Sequence, residues 1–339
     1  MRIKKATALM LVFLVAIAVL CSCKIKSKPF SSQSFIMDTT LSQKIYGKND
    51  PSSKVYSALS EWENVFSAFK EGTQIYAINT AAGKETQVSK EAFDLVEKAI
   101  GYSRESNGVF DVSVYTLSSL WKEAIENKKL PDDTIVLDRK SKVDFSKISL
   151  DRENLSVTVP KDMGIDLGAI AKGAALNIVR DIYKENGVFG AICSIGSSAM
   201  LLFGNKDGED FKIGLKNPLK NAEDDLFGTL AISDCMISTS GGYERYTQID
   251  GKQYHHIVDT KTGYPAKNDI ASVTVLGQDG AFCDYMSTRL FLEGYERAVE
   301  LIEQDGVSAV VVTNNKKVYI SKDLEERIEI TDNSFERIK

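Results

Sequence analysis

The chain has little histidine. Its 339 residues include two, His255 and His256, side by side in "QYHHIVDTKTG". Neighbouring side chains of an extended segment point to opposite faces. The pair is therefore badly placed to share one metal ion, and no third histidine exists to complete a zinc site. Cysteine is sparse too. Cys193, Cys235 and Cys283 stand far apart with no CxxC spacing, which excludes a cysteine metal knuckle or dithiol redox motif. Their surroundings, "AICSI", "ISDCMIS" and "AFCDYM", are apolar or small and predict three buried free thiols. No GxSxG elbow occurs, so the nucleophile of an α/β-hydrolase is absent. There is no short-period repeat, which argues against a solenoid. The formal charge of −5 lacks the basic excess that nonspecific nucleic-acid binding needs. The one long apolar run, residues 6–20, falls short of the ~20 residues of a spanning helix.

That run is nonetheless informative. Arg2, Lys4 and Lys5 precede it and "CSC" follows, the layout of a secretory leader. Leu20-Cys21-Ser22-Cys23 has the form of a lipobox. A small Ser precedes Cys23, whereas bulky Leu20 precedes Cys21, so Cys23 is the expected acylated N-terminus; simple secretion with a free Cys23 is the plainer alternative. The sequence thus predicts a leader over 1–22, a polar tether over 23–34 and a folded domain over 35–339. The protein would be exported and held at the cell membrane by its acyl chains.

Periodicity organises the rest. "SEWENVFSAFK" and "KEAFDLVEKAIGYSRESNG" show helical spacing, the second closed by Gly108. "AIAKGAALNIVRDIYKENG" is the clearest helix, with Ala171, Ala174, Ala175, Ile178 and Ile182 on one face and Gly187 ending it. "NLSVTVP", "FGAICSIG", "AMLLFG", "FKIGLKNP", "GTLAISDCMISTSGG", "KQYHHIVDT" and "ASVTVLG" read as strands. "DYMSTRLFLEGYERAVELIEQDG" reads as one helix, and "SAVVVTNN" with "KVYISKDL" as a closing hairpin. Strands and helices mix without strict βαβ alternation. This predicts an α+β fold with mixed or antiparallel sheets packed against helices, in one domain or two intimate lobes.

Three stretches carry possible chemistry. In "GIDLGAIAKGAA", Asp166 and Gly168 precede a helix N-terminus, whose free N–H groups suit a phosphate; a helix cap is the plainer alternative. In "CDYMSTRL", Asp284 and Thr288 lie one helical turn apart. A carboxylate and a hydroxyl suit a hard cation such as Mg²⁺, unless Asp284 merely caps its own helix. "STSGGYERY" offers bare backbone and Arg245 to an anion, or is a plain turn.

Together "FIMDTT", "FSAFKEGTQIYAIN", "GVFDVSVYTLSSLW", "DLGAIAKGAA", "STSGGYERY", "YHHIVDTKTG" and "CDYMSTRLFLEG" resemble, in order and spacing, the ApbE family of flavin transferases, from Phe35 to Asn315. The resemblance implies an ApbE-like fold and a FAD:protein FMN transferase. Such an enzyme uses Mg²⁺ to pass FMN from FAD to a Thr or Ser hydroxyl of an acceptor protein, through a phosphoester, with release of AMP. It implies acceptors of the Rnf or sodium-pumping quinone reductase kind. Two alternatives stay open: a Mg²⁺-dependent FAD pyrophosphatase, and a non-catalytic FAD-binding lipoprotein.

Residue by residue, the resemblance makes Met37 and Phe69 flavin contacts, and Val109, Phe110 and Asp111 a cofactor segment. Asp166, Lys172 and Ile257 become nucleotide contacts. Ala169, through its carbonyl, with Asp284 and Thr288 becomes the metal set. His256 becomes the base or phosphate-positioning donor, leaving His255 incidental. The chain departs from the family pattern at Asp38, where Gly is common, and at Ser197-Ser198, where Gly and then Asn or Asp follow Gly196. It departs again at Thr260 for Pro, and at Ser287 for a carboxylate.

Overall fold

The structure, a computed structural model, describes residues 28–220 and 225–338. The expected leader and Cys23 lie outside the described residues. Residues 23–27 of the expected tether also lie outside the described residues, and its last five are strand: β1 (Phe30–Ile36) pairs antiparallel with β2 (Thr39–Gly47), so Phe30 to Ser34 face Ile45 to Leu41. The physical reason is that β2 offers this segment a row of backbone partners, and an uncharged Ser/Gln/Phe stretch gives nothing to resist pairing. A two-residue turn joins the strands, with Met37 at φ 52° and Asp38 at φ 56°. Two successive left-handed residues make the turn whose twist matches a hairpin.

A largely helical section follows. It holds α1 (Ser52–Phe66), α2 (Gln74–Thr80), α3 (Lys90–Glu105), α4 (Tyr115–Asn127) and α5 (Asp133–Lys140). A small sheet of β3 (Glu85–Gln87), β5 (Ser156–Thr158) and β4 (Ser149–Asp151) sits beside them. Helix α3 starts on Ser89, whose side chain accepts the Ala92 N–H, and ends before left-handed Asn107 and Gly108.

Then α6 (Ala171–Glu185) leads into the main strands: β6 (Val188–Ile195), β7 (Ala199–Gly204), β8 (Phe211–Lys216), β9 (Leu226–Ile232) and β10 (Cys235–Gly241). The hairpin β11 (Tyr246–Ile249) and β12 (Lys252–His255) turns on Asp250-Gly251. β13 (Ile270–Gly277) precedes α7 (Gly280–Glu293) and α8 (Tyr295–Asp305). The expected single helix over 284–306 is two helices, because Gly294 at φ 79° breaks the ladder. β14 (Ser308–Thr313) and β15 (Lys317–Ile320) form the expected hairpin. Two short strands follow it, β16 (Ile328–Ile330) and β17 (Glu336–Ile338).

Nine strands make the main sheet in the order β1-β2-β6-β7-β10-β13-β14-β15-β17, antiparallel except for β15 with β17. Alternation along its strands sends side chains to the two faces of the sheet. On β14, Ala309 and Val311 join the core under the helices, while Val310 and Val312 join the core beneath β8, β9 and β16. On β10, Met236 and Ile237 divide the same way. The helical section is not a separate body, since Phe93, Val96 and Ile165 share one apolar core with Val273 and Val275. Each fully buried side chain of that kind contributes about 1.5–3 kcal/mol. The expected α+β fold with two intimate lobes is what this shared core produces.

Candidate active site

At the seam between the helical section and the sheet lies a cavity of about 880 Å³, within the range of small-molecule sites. Of the residues anticipated from sequence, Phe69, Val109, Phe110, Asp111, Asp166, Ala169, Lys172, His256, Ile257, Asp284 and Thr288 all line it. Met37 does not. Its place at the β1–β2 turn tucks the side chain against two cores, and the next residues, Asp38 and Thr39, reach the cavity instead.

The helices deliver the polar groups. Gly173 of α6 comes so close to α7 that a Cβ there would sit 2.0 Å from the Gly280 carbonyl oxygen and 2.7 Å from Asp284 Cβ. At this crossing the Gly173 N–H donates to Asp284 Oδ2 at 2.9 Å. Asp284 therefore does not cap its own helix; Asp279 does that, accepting from the Ala281 N–H. It caps α6, which has no side-chain cap from its own Ile170. A carboxylate at a helix N-terminus is well placed against the dipole. Asp284 is buried, and desolvation raises its carboxyl above the usual range, with Lys172 and the Gly173 N–H opposing. One turn on, Thr288 Oγ1 lies 3.1 Å from Ser240 Oγ, which is 2.9 Å from Ser287 Oγ. Ser287 is itself fully buried and donates to the Asp284 carbonyl. It thus packs the helix against β10 and does not line the cavity.

The turn before α6 is tightly held. Asn79 bonds both backbone groups of Ile165, donating to its oxygen at 2.9 Å and accepting from its nitrogen at 2.7 Å. Asp166 Oδ2 accepts from Ser118 Oγ at 2.6 Å, and Oδ1 from the Gly168 N–H at 2.8 Å. Asp166 thus shapes the turn that presents Ala169 to the cavity, and is not the α6 cap. Lys172 sits in the first turn of α6, where the dipole disfavours a cation. A lysine at that position, facing a cavity, suits an anionic ligand.

Asp111 is a strut. Its Oδ1 accepts from the Ser113 N–H and hydroxyl at 2.8 and 2.6 Å, and its Oδ2 from the Phe145 N–H at 3.3 Å. Burial raises its carboxyl, and these bonds oppose the rise. Phe110 meets Tyr285 edge-on at 5.2 Å. Phe69 is 40% exposed, with Tyr115 at 5.5 Å and Lys122 Nζ 5.9 Å from its ring centre. These rings, with Val109 and Ile257, form an apolar wall.

The two histidines separate as the strand rule requires. His255 ends β12 and is buried. Its Nε2 lies 3.0 Å from the Ala266 carbonyl, its Nδ1 accepts from the Ile257 N–H, and Phe291 packs edge-on to its ring. All its valences are structural. His256 is open to the cavity, and its Nδ1 lies 3.3 Å from the Arg245 carbonyl. A carbonyl only accepts, so this bond puts the proton on Nδ1 and leaves Nε2 bare. Its ring is exposed to the cavity, and desolvation by the surrounding walls first and Lys172 second hold its pKa below the ordinary 6.5. The ring is neutral at pH 7.

Sequence reasoning named the "STSGGYERY" loop but not its main contribution to the cavity. Glu244 accepts from Ser197 Oγ at 2.9 Å, and burial raises its carboxyl above the usual range. Ser118 was missed as well; its spacing on an amphipathic helix carried no sign that Asp166 would meet it.

Comparison with known proteins bears on this arrangement. The model of the ApbE family matches residues 37–311. The chain belongs to the ApbE family. A family relative from Klebsiella pneumoniae, named FAD:protein FMN transferase, is 30% identical over 316 residues, covering 92% of this chain and 98% of its own length. Another of that name, from Treponema pallidum, is 27% identical over 340 residues, covering 93% of each. The crystal structure of the ApbE protein of Thermotoga maritima matches with a TM-score of 0.82 at 25% identity, over 88% of this chain and 99% of that one. The flavin transferase ApbE of Vibrio cholerae matches at 0.76 and 23% identity, over 88% and 99%, a likeness of fold.

Within this ApbE-family chain, no group of three or more His, Cys, Asp or Glu side chains among the described residues could hold a metal ion. A cation would have to rely on a mixed set: the Asp284 carboxylate, the Thr288 hydroxyl and the Ala169 carbonyl. All are hard oxygen donors, and the buried Asp284 carboxylate is the kind of charge a cation relieves. The residues present fit Mg²⁺.

Proposed function

We propose that this chain is a FAD:protein FMN transferase that uses Mg²⁺ and works on a Thr or Ser hydroxyl of an acceptor protein. The observation that supports this best is a convergence in one cavity. It brings together the Asp284–Thr288 pair, Lys172 at the α6 N-terminus and a neutral His256, beside an apolar wall. Polar groups for a diphosphate and apolar surface for a ring system are what FAD requires.

Bound Mg²⁺, held by Asp284, Thr288 and the Ala169 carbonyl, would supply charge stabilisation at the diphosphate. Lys172 and the first turn of α6 bind and orient the phosphates. Phe69, Val109, Phe110 and Ile257 bury the ring and exclude water. The acceptor oxygen attacks the phosphorus of the FMN half. A new P–O bond forms, the P–O bond to AMP breaks, and AMP leaves with its electron pair. The acceptor's proton passes to Nε2 of His256. A base with a low pKa is weak; the diphosphate's negative charge offsets the Lys172 contribution to that lowering, which is second to desolvation.

We also propose that the protein is exported and anchored through Cys23, with membrane redox subunits as acceptors. The test of the chemistry is AMP release from FAD with Mg²⁺ or with chelator, each with and without an acceptor domain. Release that needs both Mg²⁺ and acceptor supports transfer. Release that needs Mg²⁺ alone would instead make the protein a FAD pyrophosphatase. FAD that stays intact under all four conditions would leave only a binding role.

A further inference from the structure

The reaction above gives Glu244 no task, although the fold builds a place for it. Glu244 sits on the bend between β10 and β11 and lines the cavity. Ser197, from the turn between β6 and β7, donates its hydroxyl to Oε1 at 2.9 Å. Two separate loops thus meet to aim one carboxylate. A carboxylate accepts hydrogen bonds at about four lone-pair sites, and Ser197 fills one of them. Lys172 and Arg245 attract this carboxylate and Asp284 repels it, but none of the three gives it a hydrogen bond, so a neutral donor from the ligand would fill its open lone-pair sites. The wall around it is rich in hydroxyls, with Ser198, Thr239, Ser240 and Tyr246 also lining the cavity. Such a wall suits a polyol, whose hydroxyls donate and accept in the same network.

We propose that Glu244, held by Ser197, accepts a hydrogen bond from a sugar hydroxyl of the bound dinucleotide and makes the site selective for ligands that carry it. The inference rests on FAD occupying this cavity. The hydroxyl belongs to the ribose of the AMP half or to the ribityl chain of the FMN half, and the experiment separates the two.

Calorimetric titration with Mg²⁺ present compares wild type, Glu244→Gln, Glu244→Ala and Ser197→Ala. The ligands are FAD, AMP, 2′,3′-dideoxy-AMP, FMN, a flavin alkyl phosphate without chain hydroxyls, and inorganic pyrophosphate. Charge-assisted hydrogen bonds set the scale. Wild type should prefer one hydroxylated ligand over its hydroxyl-free partner about tenfold. Glu244→Ala should erase that preference and weaken FAD by a similar factor, Glu244→Gln, which keeps a neutral acceptor oxygen, should reduce it by less, and pyrophosphate affinity should hold or rise in both. Loss confined to the AMP pair places the contact on ribose; loss confined to the FMN pair places it on ribityl. Ser197→Ala should reduce the preference by a smaller factor. The inference is overturned if the Glu244 variants lose equal affinity for hydroxylated and hydroxyl-free ligands, or if pyrophosphate weakens as much as FAD. A wild-type protein that does not bind FAD would overturn the transferase reading beneath it, a result distinct from a selectivity the variants leave intact. Thermal unfolding of each variant separates a folding defect from a contact.

Discussion

At the residue scale the site depends on which charges are satisfied in the free protein. His256 must be neutral to accept a proton, and desolvation by the cavity walls and then Lys172 hold its pKa below the ordinary value. Lowering a histidine pKa extends the neutral form to more acid pH. The acid limb of kcat/KM should therefore fall well below the 6.5 of an ordinary histidine, and a limb at or above 6.5 would remove His256 from the base role. His256→Asn should lower kcat by about 10²–10⁴, the usual contribution of a positioned base, with FAD affinity nearly unchanged. Asp284 gives a second prediction. Asp284→Asn keeps an oxygen for the Gly173 N–H but removes a buried charge. The metal-free thermal midpoint should hold or rise, while stabilisation by added Mg²⁺ with FAD should vanish. A large drop in the metal-free midpoint would mean the carboxylate is structural only. The sequence shows Asp284 and Thr288 as a pair one turn apart, but not that Asp284 caps α6. That contact spans over a hundred residues of chain, and periodicity carries no information about it.

At the element scale two backbone features set the positions of these groups. The α6–α7 crossing needs Gly173, because any side chain there meets the Gly280 backbone. Gly173→Ala should destabilise the fold by about 1–3 kcal/mol, read from urea unfolding, and should weaken Mg²⁺ binding by shifting Asp284. A variant with wild-type stability would contradict the close crossing. At the β1–β2 turn, Asp38 holds φ 56°, a conformation that costs an L-residue of order 1 kcal/mol and glycine almost nothing. Asp38→Gly should stabilise the protein by up to about 1 kcal/mol. Most elements were legible from spacing: α3, α6, β6, β7, β13 and the β14–β15 hairpin all fall where periodicity predicts. The buried face of α6 is rotated, with Leu176, Val179 and Tyr183 inside and Ile178 and Ile182 only half-buried. The helix is covered from two sides, by α7 and by the sheet, so no single apolar stripe defines it. β16 and β17 were not anticipated, because strands of three residues carry no period to read.

At the scale of the whole molecule, three cores share one sheet. Each contains one thiol: Cys283 in the core under the helices, Cys193 beneath β1, β2 and β6, and Cys235 in the core facing β8 and β9. All three are free and buried, and burial pushes Cys193 and Cys235 up to about 12. The native protein should leave them unlabelled by a thiol reagent at pH 8. As denaturant rises they should become reactive at one midpoint, since no core can open without the shared strands. One thiol unmasking well before the others would show that the layers unfold separately.

On the proposed reading, one cavity both binds FAD and hands its FMN half to a protein hydroxyl. Intact mass of an acceptor domain after incubation with FAD, Mg²⁺ and this protein tests it most directly. Wild type should yield an acceptor heavier by one FMN phosphoester, and Asp284→Asn or chelator should leave the acceptor unmodified. An acceptor left unmodified by wild type under conditions where a Klebsiella pneumoniae relative modifies it, or modified equally well by Asp284→Asn, would contradict the account.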